Sequence, residues 1–147
     1  RVRGLPLILV DTNLLSEAHM AGSRHAAARA WLDDQLWGTV QVGLPWPVLL
    51  AFLRLVTNPR VFSRPQSAVA AWAQVKEWLS CEVAWVPAPT ENHAVVLEAL
   101  LVRDPGGANR IPDAHLAALA LEHGLTLCTL DAGFARYPGL RWKNTLA

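Results

Sequence analysis

The sequence predicts an α/β domain in which a mostly parallel central sheet carries helices on both faces. Three observations carry this expectation. Segments of strand character alternate with segments of helical periodicity along most of the 147 residues. The strand segments "LILV" and "LTLCTL" are continuously apolar rather than alternating, as strands buried on both faces are. The helical segments carry end signals: Pro47 and Pro112 in first turns, and Gly124 after a last turn. The length fits one domain, residues 1–147, around one core.

The elements follow in order. Leu7 to Val10 is a buried strand, and Thr12 or Asn13 caps the helix after it. A second helix runs from about Ser23 to Leu36, with Ala27, Ala30 and Trp31 on its apolar side, Leu32 at the edge, and Arg29 and Asp33 outward. "TVQVGLP" (39–45) alternates like a short strand. Trp46 to Asn58 is helical, with Val48, Leu49, Phe52, Leu55 and Val56 at helical spacing. Arg64 to Ser80 is another helix, striped by Val69, Trp72, Val75, Trp78 and Leu79. Glu82 to Pro89 is a strand stopped by Pro87 and Pro89. Thr90 to Asp104 is a helix, and Pro105 to Asn109 a loop. A helix from Pro112 to Gly124 leads into the buried strand Leu125 to Asp131. Gly139 to Asn144 reads as a last, edge strand.

Composition narrows the function classes. The longest apolar stretch, Gly43 to Val56, is too short to span a bilayer and is broken by Pro45, Pro47 and Arg54. The apolar run near the start is too short for a secretory leader and meets an Asp. Cys81 and Cys128 lack zinc-site or disulfide-framework spacing, and two buried thiols in a cytoplasmic protein are expected. The chain is 52% hydrophobic with seven Trp. Any single Trp is more simply a core residue. The segment from Trp46 to Ser80, with Phe52, Phe62, Trp72 and Trp78, still holds more bulky apolar surface than a domain of this size readily buries, so part of it is expected in an interface. Net charge is only +1, yet no acid lies between Asp34 and Glu77, where Arg54, Arg60, Arg64 and Lys76 fall. Arg136, Arg141 and Lys143 add to the basic count near the end. A basic face suits a polyanion; an ordinary solvated face explains the charges equally well.

Three acids are candidates for chemistry. Asp11 and Asp131 each end an apolar strand, and Asp113 stands in a helix's first turn after a Gly-rich loop. Ligands of open α/β sheets bind beyond the carboxyl ends of the strands, so the three are expected on one rim. Each alone has a plainer role, as a cap, a turn residue or a helix-dipole partner. Together they would repel, and a hard divalent cation such as Mg²⁺ or Mn²⁺ relieves that repulsion. Such a cation suits phosphate-ester hydrolysis. Asn13 and Thr129 are placed to orient a carboxylate or a water.

The stretches "LVDTNLL", "GLPWPVLLAFLRLVTNPRVF" and "IPDAHLAALALEHGLTLCTLDAGFARYPGLRW" resemble the PIN-domain toxins of VapBC toxin–antitoxin systems, above all VapC-type toxins of mycobacteria and other actinobacteria. The likeness covers nearly the whole chain. It implies a PIN-like three-layer α/β/α domain and a cytoplasmic Mg²⁺- or Mn²⁺-dependent endoribonuclease. The implied substrate is a structured RNA of the tRNA or rRNA class. A homodimer and a cognate VapB-type antitoxin are implied as partners. Position by position, Asp11, Asp113 and Asp131 match the family's acids, with Asp11 and Asp113 as metal holders, and Asn13 and Thr129 match its supporting polar residues. Arg54, Arg60, Arg64 and Arg110 would hold the RNA backbone.

The chain departs from the family pattern twice. Many relatives carry a Glu where this chain has Ala51 or Phe52, and many read T-x-D-x-D-F where Gly133 stands here for the second Asp. Glu17, a turn beyond Asn13, is more simply a solvated residue than a substitute acid. No His is expected in catalysis. The missing acids motivate a rival: a degenerate scaffold that binds RNA or antitoxin without cutting. A phosphotransfer or receiver domain also places Asp at strand ends, but needs a Lys beside the acids, and the only lysines are Lys76 and Lys143.

Overall fold

A computed structural model describes residues 7–20 and 23–146. Five short parallel strands form one sheet in the order β3-β2-β1-β4-β5. They are β1 (Ile8–Val10), β2 (Val42–Gly43), β3 (Ala84–Trp85), β4 (Thr126–Cys128) and β5 (Trp142–Lys143). Six helices connect them: α1 (Thr12–His19), α2 (Ser23–Leu36), α3 (Trp46–Val56), α4 (Ala68–Leu79), α5 (His93–Arg103) and α6 (Ile111–His123). Among the described residues, no helix is long and apolar enough to cross a membrane.

The strand order explains the layers. From β1 the chain steps to β2 and then β3 in one direction, and from β3 it returns across the sheet to β4. Right-handed crossovers therefore put α1 to α4 on one face and α5 and α6 on the other. The packing agrees: α1 touches α2 and α3, α3 touches α4, and α5 packs on α6. The core is the sheet's two faces, with Leu9, Val10, Val42 and Leu127 fully buried between helix residues such as Leu14, Leu49, Phe52 and Leu119. The α/β/α arrangement and the edge position of β5 match the sequence expectation.

Several boundaries and faces differ from it. The expected strands over 39–45 and 82–89 pair over only two residues each, because Pro45 and Pro87 lack the N–H that a longer ladder needs. The buried side of α2 is Ala28, Leu32 and Leu36, while Ala27 and Ala30 face out. A lone methyl group gains little by burial, so the leucines decide the face. In α4 the core residues are Ala71, Val75 and Trp78; Val69 is 81% exposed and Trp72 40%. Trp78 sets that face by packing edge-on against Phe52, with ring centroids 4.8 Å apart. Trp72 stacks instead on Trp46 at the surface. Helix α4 begins at Ala68 rather than Arg64 because Ser67 is its N-cap, accepting from the Ala70 N–H at 3.1 Å. Gly124 ends α6 in the left-handed conformation at φ 68°, as its position after the last turn predicts. Cys128 is buried and its thiol pushed up to about 11 by that burial, but Cys81 is only half-buried.

Candidate active site

Strands β1 and β4 are neighbours whose connections leave in opposite directions, to β2 and to β5. That makes the gap between their carboxyl ends the topological switch point of the sheet. Asp11 sits there. Its N–H donates to the Cys128 carbonyl at 3.0 Å and so extends the ladder one step past Val10. The cap of α1 is Asp11 itself, not Thr12 or Asn13: its Oδ1 accepts from the Thr12 N–H at 2.7 Å. An Asp satisfies this position with one oxygen and leaves the other for a second task.

That second oxygen, Oδ2, accepts from the Thr129 hydroxyl at 2.7 Å. The Thr129 oxygen in turn accepts from the Asn13 amide at 3.2 Å and from the Asp131 N–H at 3.0 Å. Asn13 closes the network: its Oδ1 accepts from the Leu130 N–H at 3.1 Å. Thr129 is fully buried. Asn13 and Thr129 therefore tie the ends of two strands together and hold Asp11.

The other two acids arrive from different elements. Asp113 lies in the first turn of α6, whose N-terminal dipole favours an anion. Its Oδ2 accepts from Arg136 Nη2 at 2.8 Å. Asp131 caps the short 3₁₀ turn Ala132–Arg136, its Oδ1 accepting from the Gly133 N–H at 2.8 Å. Burial pushes the Asp11 carboxyl up from 3.8, and the charges of Asp113 and Asp131 push it further; the bonds from Thr129 and Thr12 pull the other way. Asp113 is also raised, by burial first and by Asp131, against the opposing pull of Arg136 and Arg110. The three acids thus share one electrostatic neighbourhood that the protein leaves partly uncompensated.

This donor set fits a hard cation. Asp11 and Asp113, with raised proton affinity, recover their ionised form when a divalent charge sits beside them. Among the described residues no three of Asp, Glu, His and Cys converge into a ready-made cage. A Mg²⁺-type ion held by one or two carboxylates and several waters needs none. Neither position that relatives fill with Glu supplies an oxygen: Phe52 is fully buried between His19 and Trp78, and Ala51 is half-buried. Glu17 is engaged elsewhere, paired with His25.

The arginines divide into two groups. Arg54, Arg60 and Arg64 are exposed and make no ion pair among the described residues. Arg54 is about 12 Å along α3 from the rim where that helix starts, and among the described residues none of the three pairs with an acid. Arg110 is closer, beside the loop before α6, and pairs with Asp104. Two participants carry no signal in the sequence. Arg136 reads there as one more basic residue, and Asp104 as the end of a helix. In the structure Asp104 accepts from Arg136 Nε at 2.9 Å and anchors it beside Asp113.

The comparisons with known proteins agree with this fold. The family model described as "PIN domain" matches residues 8–140. Ribonuclease VapC37 of Mycobacterium tuberculosis is 42% identical over 137 residues, 92% of this chain and 95% of that protein. Ribonuclease VapC43 of the same species is 40% identical over 141 residues, 95% of this chain and 96% of that protein. Among solved structures, a VapBC2 complex from Rickettsia felis superposes with a TM-score of 0.69 at 17% identity, over 94% of this chain and 98% of that one. The likeness to that structure is one of fold, whereas the two ribonucleases are also near in sequence. The chain belongs to the PIN-domain family and, within it, to the VapC ribonucleases.

Proposed function

We propose that this chain is the toxin of a VapBC-type pair and cuts RNA as a Mg²⁺- or Mn²⁺-dependent endoribonuclease acting on the tRNA or rRNA class. The observation that carries the reading is the switch-point network: Asp11 aimed by Thr129 and Asn13, with Asp113 and Asp131 near enough to raise its proton affinity. Asp11 and Asp113 hold the cation, and Asp131 completes the acidic cluster. A divalent cation bound there lowers the pKa of a water and neutralises charge on the scissile phosphate. Thr129 keeps Asp11 Oδ2 turned to the rim, and the exposed Asp131 presents its second oxygen to solvent at the same edge. Arg54, Arg60, Arg64 and Arg110 guide the RNA backbone from outside the acid cluster, which makes binding salt-sensitive.

Residues 1–147 act as one domain in this reading, in the cytoplasm, with a VapB-type antitoxin as partner. Trp46, Leu50, Val61 and Val69 are 42%, 56%, 51% and 81% exposed, and part of that surface serves antitoxin binding or a homodimer. The test is cleavage of total RNA with Mn²⁺, with and without chelator, by the wild type and Asp11→Asn. Cleavage lost in both controls supports the reading. Equal RNA loss with chelator present sinks it. The second reading, a scaffold that binds without cutting, is motivated by the missing Glu at Ala51 or Phe52. It predicts salt-sensitive RNA binding by wild type with no new RNA ends.

A further inference from the structure

The Arg136 guanidinium is held on four sides. Its Nε donates to Asp104 at 2.9 Å, its Nη2 to Asp113 at 2.8 Å and its Nη1 to the Gly133 carbonyl, and its central carbon lies 4.8 Å from the Tyr137 ring centre. Asp104 is held in turn by Arg110. Two features of this arrangement point to a role. Only one of the four contacts is to Asp113, so a cation arriving at Asp113 would not free the arginine. And Arg136 uses only Asp113 Oδ2; Oδ1 has no protein partner among the described residues. Space at Gly133 makes the arrangement possible. A Cβ there would stand 2.6 Å from Arg136 Nη1 and 2.9 Å from Asp131 Oδ1. The backbone at Gly133 is not in the left-handed region, so the demand for glycine is one of room rather than φ.

We propose that Arg136 is a positioning residue that, anchored by Asp104 and admitted by Gly133, fixes Asp113 through one oxygen so that the other is presented to the cation. This rests on the proposed metal-dependent reading. It assigns the side chain of Arg136 a supporting role rather than that of a plug. A planar fork can serve three acceptors at once; a lysine ammonium in its place cannot hold the same geometry. Outer partners of metal-binding carboxylates are typically worth 10- to 100-fold in metal affinity.

The experiment measures Mn²⁺ binding by calorimetry and by the loss of free-ion electron paramagnetic resonance signal, on the full chain. Wild type, Asp11→Asn, Arg136→Lys, Arg136→Met and Gly133→Ala are compared, with Ser67→Ala as a control that lowers stability far from the site. Mn²⁺ dissociation constants raised at least about 10-fold in both Arg136 variants, a rise in Gly133→Ala, and none in Ser67→Ala support the proposal. Unchanged or tighter Mn²⁺ binding in folded Arg136→Lys overturns it, tighter binding meaning that the arginine competes with the cation. If Arg136→Met does not fold, Arg136→Lys and Gly133→Ala, which keep charge and arginine respectively, decide the matter. Wild type that binds Mn²⁺ and loses it in Asp11→Asn, beside Arg136 variants that bind normally, defeats this inference alone. Wild type that binds no Mn²⁺ defeats the metal-dependent reading with it.

Discussion

Two polar clusters meet at helix α6, and they are built on opposite plans. One joins α5 to α6. Glu122, its side chain 1% exposed, accepts from the Thr90 N–H at 2.9 Å and hydroxyl at 2.7 Å and pairs with His93, whose Nε2 lies 3.0 Å from His115 Nδ1. The other is the rim of Asp11, Asp113 and Asp131. In the first, an acid has three partners, and its carboxyl is held below the ordinary value: burial opposes this, but the bonds from Thr90 and His93 outweigh it. In the second, like charges face one another and two carboxyls are raised. A cluster that closes on itself holds the fold together. A cluster that leaves charge uncompensated gives up stability, as the proposed cation site would require.

The sharpest way to break this comparison is to remove one acid from each cluster. Asp113→Asn is expected to reduce RNA cleavage to background while the protein stays folded by circular dichroism. Glu122→Ala is expected to do the reverse, costing about 3 kcal/mol in urea unfolding while residual folded protein still cuts. Cleavage retained in Asp113→Asn would reverse the assignment of the clusters. Next in size is the response to metal. Mn²⁺ at a hundredfold excess over its dissociation constant should stabilise wild type by about 2.7 kcal/mol and Asp11→Asn hardly at all, read as a shift in Tm.

Acid separates the clusters by sign. Asp11 and Asp113 have raised folded values, so their stability contribution falls as pH rises from 3.8 through those values. Without metal, Asp11→Asn should therefore gain Tm over wild type at pH 7, and the gain should shrink toward pH 3.5. Glu122 and His115 are lowered. Burial and the neighbouring His93 lower His115, so its share of stability is lost as pH falls below 6.5; that of Glu122 follows as pH falls through its folded value. A Glu122→Gln variant should flatten the lower part of that acid limb. The smallest effect concerns neither cluster: Ser67→Ala removes the cap of α4 and should cost about 1 kcal/mol with cleavage unchanged.

The rim was more legible from residues alone than the faces of the helices. A strand buried on both sides announces itself as an unbroken apolar run, and the acid that ends it lies at the sheet's edge by construction. Asp11, Thr129 and Asp131 are found that way, and Asn13 follows two residues on. The buried sides of α2 and α4 are not found that way. Alanines surround both helices, so periodicity alone leaves a choice that Leu32, Leu36 and Trp78 settle by packing. Asp104 and Arg136 are illegible for another reason. They stand 32 residues apart, and only the meeting of the end of α5 with the turn after β4 brings them together. The cap of α1 shows a subtler limit. Asp11 was open to reading as a cap or as a site residue, and its two oxygens let it be both.

The bond between Asp11 and Thr129 joins residues 118 apart in the chain. Synthesis proceeds at about 5–20 residues per second, so Asp11 leaves the ribosome's catalytic centre roughly 6–24 seconds before its partner is made. Throughout that interval no nascent chain owns a complete rim, however well its first helices have folded. Most of an RNA-cutting protein is thus translated, beside the RNA of its own ribosome, before the geometry for cutting exists.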